Sequence, residues 1–417
     1  MEEKIMLPSF WARHKRKIII MAIVLVVLLA GIGSFILANR HDGRGGGKSL
    51  FGGSEAEQAG RRIAGKCSGK GPGVLSKPAM DQADFSHIIP YGLMVGGHVT
   101  PIDHQYFSPA DYKSPRDAYP VYAMGDARLV QIQHRVQGGN DNDTVRSRIT
   151  DEWRLVFTQS CTFMYYYDLV TSLTPEIKAE FEKNRRGDNY AQVDIPVKAG
   201  QLIGRIGSQT LDFAVWDTQK PLKGFVNPAS YENEPWKLYT ADPLDYYTPE
   251  LKALMLAKYA RTAPPISGQI DYDIDGKLRG SWFEEGKTQK DMHDWTIEVS
   301  FSPDHYDPSH FMISMGLYDK DAKQFYARGN APDPATVSPA SGLVKYELVQ
   351  GRYVLPDGSQ WSQMTLAKGA RVQLQSHAAG VVLVQMLEGR KLKFEAFPGK
   401  TAAQVSAFTP AAKVYTR

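Results

Sequence analysis

The sequence predicts a mainly β protein: an N-terminal transmembrane helix, then a β-sandwich, then a C-terminal antiparallel β-barrel or sandwich. Three observations carry this. An uncharged apolar run stands near the N-terminus. Two long stretches alternate apolar and polar residues at period two, with β-branched and aromatic side chains prominent. Helical periodicity is confined to two short segments that each open with Thr-Pro. At 417 residues the chain has room for two or three domains. With 23% charged and 42% apolar residues it is neither mostly disordered nor collagen-like.

The formal charge of +4 is unevenly spread. Residues 1–50 hold eight of the 49 Lys/Arg and three of the 45 Asp/Glu, which leaves 41 against 42 in the rest. A nucleic-acid binder keeps its basic excess in the folded part, so nucleic acid is excluded as a partner and a membrane is indicated. Ile18 to Ala38 is 21 residues without a charge, and at ~1.5 Å per residue it spans about 31 Å, one hydrocarbon core. A cleavable signal peptide fits worse, because its apolar core runs ~7–15 residues before a small-residue cut site. Lys4, Arg13, Lys15, Arg16 and Lys17 outweigh the basic residues beyond the span. Residues 1–17 are therefore read as a cytoplasmic basic tail, and everything after Asn39 as extracytoplasmic or periplasmic, on a single-pass cell-membrane protein.

Residues 39–76 read as a glycine-rich linker. Within it DGRGGGKS has the look of a phosphate-binding loop, but Asp42 stands where the first glycine is required and no strand precedes it. The two cysteines, Cys67 and Cys161, either pair in an oxidising compartment or remain one exposed and one buried thiol.

Residues 77–265 form the first exported domain. YPVYAMGDARLVQIQHRV, EWRLVFTQSCTFMYYYDLV and VDIPVKAGQLIGRIGSQTLDFAVWD supply strands, and the loop GGNDNDT suggests a hairpin. A helix opens at Thr174-Pro175, with threonine as N-cap. A second at 248–262 places Leu251, Leu254, Met255 and Tyr259 on one face. Residues 266–417 form the second domain, in about ten short strands. Gly280-Ser281-Trp282 resembles the glycine–any–tryptophan signature of lipocalin-like barrels, although a hairpin that buries a tryptophan is the simpler account. Asp271, Asp273 and Asp275 begin like a calcium loop, but Trp282 stands where the bidentate Glu belongs. They are read as the solvent face of a strand turning at Asp275-Gly276. His293, His305 and His310 match no metal spacing and are read as solvated loop residues. No Gly-any-Ser-any-Gly elbow supports a serine hydrolase.

Residues 90–220 resemble the lysostaphin-type zinc endopeptidases, the murein DD-endopeptidase-like family with a duplicated hybrid motif. The resemblance rests on Gly97-His98 with Asp103-His104 (GHVTPIDH), on PVYAMGDARLV, on Tyr166-Tyr167-Asp168-Leu169, on VKAGQLIG and on TLDFAV. It implies a β-sandwich that cuts peptidoglycan cross-links with zinc. Carried over by position, His98 takes the first metal-ligand place and Asp103 the second, one residue further along than the family spacing. Asp212 replaces the third ligand, and His104 lies beside them as a substitute. Thr210 and Asp168 occupy the places of the two catalytic histidines.

Strand geometry adds an independent expectation. Leu211, Phe213 and Val215 should fill the core while Thr210, Asp212 and Ala214 face the other way. By the same period Met164, Tyr166 and Asp168 share a face, so an acidic, aromatic-lined groove is expected. An ionised Asp168 would repel a developing oxyanion, and loss of one oxyanion donor costs ~100- to 1000-fold in rate. The expected function is therefore a non-hydrolytic, peptidase-like domain that binds cell-envelope glycan, peptidoglycan or a protein partner. The alternative is a metal-dependent cell-wall endopeptidase with an altered zinc site, and a purely structural module is the third reading.

Overall fold

The computed structural model describes residues 53–137, 150–187, 189–287 and 295–417. The expected membrane helix, the basic tail, the loop GGNDNDT and His293 lie outside these residues. Among the described residues no helix is long and apolar enough to cross a membrane.

Period-two alternation builds the first domain. Its strands are β1 (Phe85–Ile89), β2 (Gln105–Pro109), β3 (Tyr119–Tyr122), β4 (Ala127–Gln137), β5 (Thr150–Thr158) and β6 (Phe163–Val170). They continue with β7 (Ser172–Leu173), β8 (Arg185–Arg186), β9 (Tyr190–Val197), β10 (Leu202–Ile206), β11 (Leu211–Asp217) and β12 (Thr240–Ala241). A large sheet runs β1-β2-β11-β6-β5-β4-β9-β8, with β12 also on β11, and a small sheet runs β3-β10-β7. Leu155, Phe157, Tyr165, Tyr167, Phe213 and Val215 of the large sheet share one core with Val121, Ile203 and Ile206 of the small one. The inward face assigned to Leu211, Phe213 and Val215 is thus the observed one, and Ala214 and Trp216 face outward.

Among the described residues, three α-helices flank the sheets: α1 (Glu55–Ala64), α2 (Pro175–Asn184) and α3 (Pro249–Lys258). Thr174 caps α2 by accepting from the Ile177 N–H, and Ile177 and Phe181 are its buried residues. Leu251 and Met255 bury α3.

Helix α1 corrects the reading of 39–76 as linker, since from Ser54 onward this stretch belongs to the fold. Ser54 and Glu57 form a capping box. Gly60 lies so close to the sheet that a Cβ there would come within 1.7 Å of the Cys161 carbonyl oxygen. A disulfide between Cys67 and Cys161 holds the following loop to the same place.

The second domain is a closed antiparallel barrel of β13 (Gly280–Glu284), β14 (Glu298–Pro303), β15 (Phe311–Tyr318), β16 (Asp321–Ala327), β17 (Leu343–Val354), β18 (Arg371–Leu387), β19 (Lys391–Pro398) and β20 (Lys413–Thr416). Eight strands replace the ten expected, because β17 and β18 are long: runs of 12 and 17 residues take the place of several short ones. Closure comes from β13 pairing with β20 through Phe283↔Thr416. Trp282 is fully buried inside, with the Arg417 guanidinium 4.0 Å from its ring centroid and its Nε1–H donated to the Leu278 carbonyl.

Two further expectations fail here. Residues 271–274 form no strand, and Asp271 and Asp273 do not form a solvent face. Asp271 accepts from the Gly224 N–H at 2.8 Å, Asp273 accepts from the Val226 and Ser281 N–H groups, and the exposed Asp275 pairs with Arg390. These bonds tie the interdomain segment to both domains. Likewise His305 is not solvated but 3% exposed. The distal part of the β17–β18 arm covers it, with Tyr353 set edge-on to its ring. Its neighbour Asp304 is fully buried and accepts from the Tyr326 and Tyr353 hydroxyls and from two backbone N–H groups.

Candidate functional site

The site is assembled by strand register. β6 and β11 pair so that Asp168 stands opposite Asp212, and β2 pairs on the other side so that Tyr106 stands opposite Asp212 as well. All three therefore lie in one row on the outer face of the large sheet. Two carboxylates directly opposite one another repel, and each is compensated from a different direction.

Asp168 is 2% exposed. Arg135 pairs with its Oδ1, Arg154 donates from Nε to Oδ2 at 2.8 Å, and the Leu169 N–H donates to Oδ1 at 2.8 Å. Arg154 also lies over the Tyr166 ring, 5.1 Å from its centroid. Despite burial, the charge of Asp168 and its hydrogen bond hold the Arg154 guanidinium even more firmly protonated than usual.

Asp212 is answered by His104. The imidazole donates from Nδ1 to Asp103 Oδ1 at 3.1 Å, and its Nε2 lies 3.0 Å from the Tyr106 hydroxyl and 3.3 Å from Asp212 Oδ2. Both ring nitrogens thus face oxygen acceptors, an arrangement that favours imidazolium. Burial opposes that charge, but Asp212 and Asp103 outweigh it and raise the His104 pKa. For Asp103, burial is overcome by the His104 hydrogen bond and the Lys237 charge, which hold its carboxyl well below the usual range. Burial pushes Asp212 up to about 7, with His104 offsetting only part of the rise and Asp168 adding to it. Thr210 Oγ1 donates to Asp212 Oδ1 at a long 3.4 Å.

The expected open groove is roofed over. Trp236 donates from Nε1 to Asp103 Oδ2 at 2.8 Å, and the neighbouring Lys237, 7% exposed, donates to Glu234 at 2.9 Å and to Thr100 at 3.4 Å. Asp103 and His104 are left only 8% and 9% exposed. His98 borders this interior from the exposed side. It ends a tight turn closed by mutual backbone bonds between Val95 and His98, and its exposed ring lies 6.2 Å from that of His104, centroid to centroid. The turn is held to the barrel by Gln324, which exchanges two hydrogen bonds with the backbone of Gly96.

The structure therefore brings Asp103, His104, Asp168, Thr210 and Asp212 together and leaves His98 at the margin. Tyr106, Arg135, Arg154, Trp236 and Lys237 complete the cluster, and sequence reasoning does not anticipate them. One signal for Arg154 is available: it shares a strand face with Val156 in a run otherwise rich in core residues, and a cation in such surroundings needs an anion. A zinc site needs three donors converging on one point with a fourth position open. Here Asp103 presents its two oxygens to Trp236 and His104, and both His104 nitrogens face oxygens. Among the described residues no three His, Cys, Asp or Glu side chains are grouped to hold a metal ion. In this arrangement the residues present do not fit zinc.

What the geometry defines is a mainly β protein with a closed eight-stranded barrel and a buried, charge-compensated cluster on its larger sheet. Among solved structures the chain is similar to the NMR solution structure of lysostaphin, at 11% identity over 82% of this chain and 90% of that one. The TM-score is 0.23, a level at which the likeness carries no argument. No family model and no curated protein matches the chain.

Proposed function

We propose that this is a membrane-anchored, extracytoplasmic protein whose first domain is a non-hydrolytic relative of the lysostaphin-type fold, serving to bind cell-envelope glycan, peptidoglycan above all, or an envelope protein. The observation that carries the loss of hydrolysis is the pairing of Asp168 with Arg135 and Arg154. A carboxylate held by two guanidiniums has no proton to donate to an oxyanion, and it leaves neither arginine free to do so. His104 is engaged at Nδ1 by Asp103 and at Nε2 by Tyr106 and Asp212, so neither ring nitrogen is turned towards a metal or a substrate. The disulfide favours an oxidising compartment, in keeping with export across the membrane.

Sedimentation of the full-length chain with insoluble peptidoglycan tests this. Co-sedimentation without release of soluble fragments is the expected result. Failure to sediment removes the glycan reading and leaves an envelope protein as the partner. Release of wall fragments, abolished in His98→Ala together with a stoichiometric metal, would establish the metal-dependent endopeptidase instead.

A further inference from the structure

Residues 218–239 join β11 to β12 and carry the roof over the buried cluster. The connection is longer than the ~12–15 residues beyond which an irregular segment of a compact domain is usually functional, often a lid. Its regular structure is two short 3-10 turns, Pro228–Tyr231 and Pro235–Tyr239, and neither is capped by a side chain. Both ends are fixed: the Val226 N–H donates to Asp273 at 3.1 Å, and Thr240 pairs with Trp216 of β11. Tyr231 is a third anchor, buried against Phe225 and edge-on to Phe283 of the barrel. Between Tyr231 and Thr240 only Lys237 is buried.

Residues 232–239 therefore rest on the molecule mainly through polar contacts. The Trp236 Nε1–H donates to Asp103 Oδ2 at 2.8 Å, Lys237 reaches the Thr100 hydroxyl at a long 3.4 Å, and the Leu222 N–H donates to the Leu238 carbonyl at 2.8 Å. The carboxylate paired with the Lys237 ammonium, at 2.9 Å, is Glu234. Glu234 lies on the same segment, so this compensation moves with the lysine, while the charges of Asp103 and Glu298 act on it from outside. Buried ions add little to stability by themselves. A charged cluster beneath a segment with so little buried surface points to a use that requires access, since lids are drawn from the least stable parts of a fold.

We propose that residues 232–239 are a hinged lid with the Trp236 indole as its latch, which opens to admit the first domain's ligand to Asp103 and His104. This rests on the binding role proposed above and supplies what that role needs. With the lid closed Asp103 and His104 are only 8% and 9% exposed, so a ligand reaches them through an open form. Its apparent affinity is then its affinity for the open form, reduced by the fraction of molecules that are open.

Amide hydrogen exchange of the full-length chain, without ligand, tests the lid. The amides of residues 232–239, and that of Leu222, should exchange faster than those of β11, because opening the lid costs less than unfolding the sheet. Trp236→Phe keeps a ring in place and removes the N–H, and should speed lid exchange about tenfold or more, the worth of one hydrogen bond to a charged group. The same variant should sediment at a lower peptidoglycan concentration than the parent. Lid amides as protected as those of β11 in the parent overturn the proposal, whether or not the variant folds. Equal lid exchange in Trp236→Phe and the parent also overturns it, as does faster exchange with unchanged sedimentation. If lid exchange is as expected and neither protein sediments, the lid stands and the glycan reading falls.

Discussion

Asp168 and Asp212 are cross-strand partners on adjacent strands, yet they are compensated differently, Asp168 by two guanidiniums, Arg135 and Arg154, and Asp212 only in part by His104. Each carboxylate is at most 6% exposed. Burying two like charges side by side is tolerable only if each has its own counter-charge, because desolvation otherwise drives the group to neutrality.

Removing one arginine should be severe. Arg154→Met leaves Asp168 buried with part of its compensation gone, and breaking such a pair costs roughly 3–5 kcal/mol. The double variant Arg154→Met/Asp168→Leu should recover much of that. Urea unfolding at neutral pH measures both, and a single variant as stable as the parent would show that the pair is unimportant.

Chelation should leave the protein unchanged. If protons and guanidiniums rather than a metal neutralise the cluster, EDTA or phenanthroline will not shift the melting temperature. A drop reversed by adding back zinc would contradict the fit drawn from the donor atoms.

Acid should weaken the fold through His87. This residue is fully buried, between the hydroxyls of Ser86 and Ser108. Burial, reinforced by the Lys258 charge, lowers its pKa to about 4. The unfolded chain takes up this proton near pH 6.5 and the folded chain does not, so stability falls as pH drops from 6.5 towards 4. The full effect is about 3 kcal/mol. His87→Gln should flatten this part of the pH profile relative to the parent, measured by urea midpoints at about pH 7 and pH 4.5.

Reduction of Cys67–Cys161 should destabilise the first domain. The bridge closes a loop over a sequence separation of 94, for which chain entropy gives about 4.7 kcal/mol. Urea midpoints with and without reductant measure it. Equal midpoints would mean that α1 is held by packing alone.

Truncating Arg417 should loosen the barrel. Its guanidinium lies over Trp282 and donates to the carbonyls of Ile274, Lys277 and Arg279. Arg417→Ala orphans these acceptors and uncovers the ring, at a cost of about 3 kcal/mol. Trp282 fluorescence, followed through thermal unfolding, reports the change.

Much of the local structure is legible in the sequence. The alternation in TLDFAV places Asp212 on the face opposite Leu211 and Phe213, and the run MYYYD places Asp168 beside Tyr166, because a strand's side-chain period needs no tertiary information. Thr174-Pro175 marks a helix start for the same local reason. The tether is misread at its end, since glycines in GRRIAGKCSG suggest flexibility where Gly60 in fact permits close packing of α1 on the sheet. His305 is misread because loop position implies exposure only when nothing covers the loop, and here the β17–β18 arm does.

By itself, then, the sequence determined the β character of both domains, the faces of individual strands and the acidic residues at positions that resemble a peptidase site. Only the tertiary structure decided what those acids do. Asp168 meets Arg135 and Arg154 from positions 33 and 14 residues away, and Asp103 meets Trp236 from 133 away. Periodicity is a property of neighbouring residues, whereas neutralising a buried charge depends on which distant segments the fold brings within a few ångströms of it.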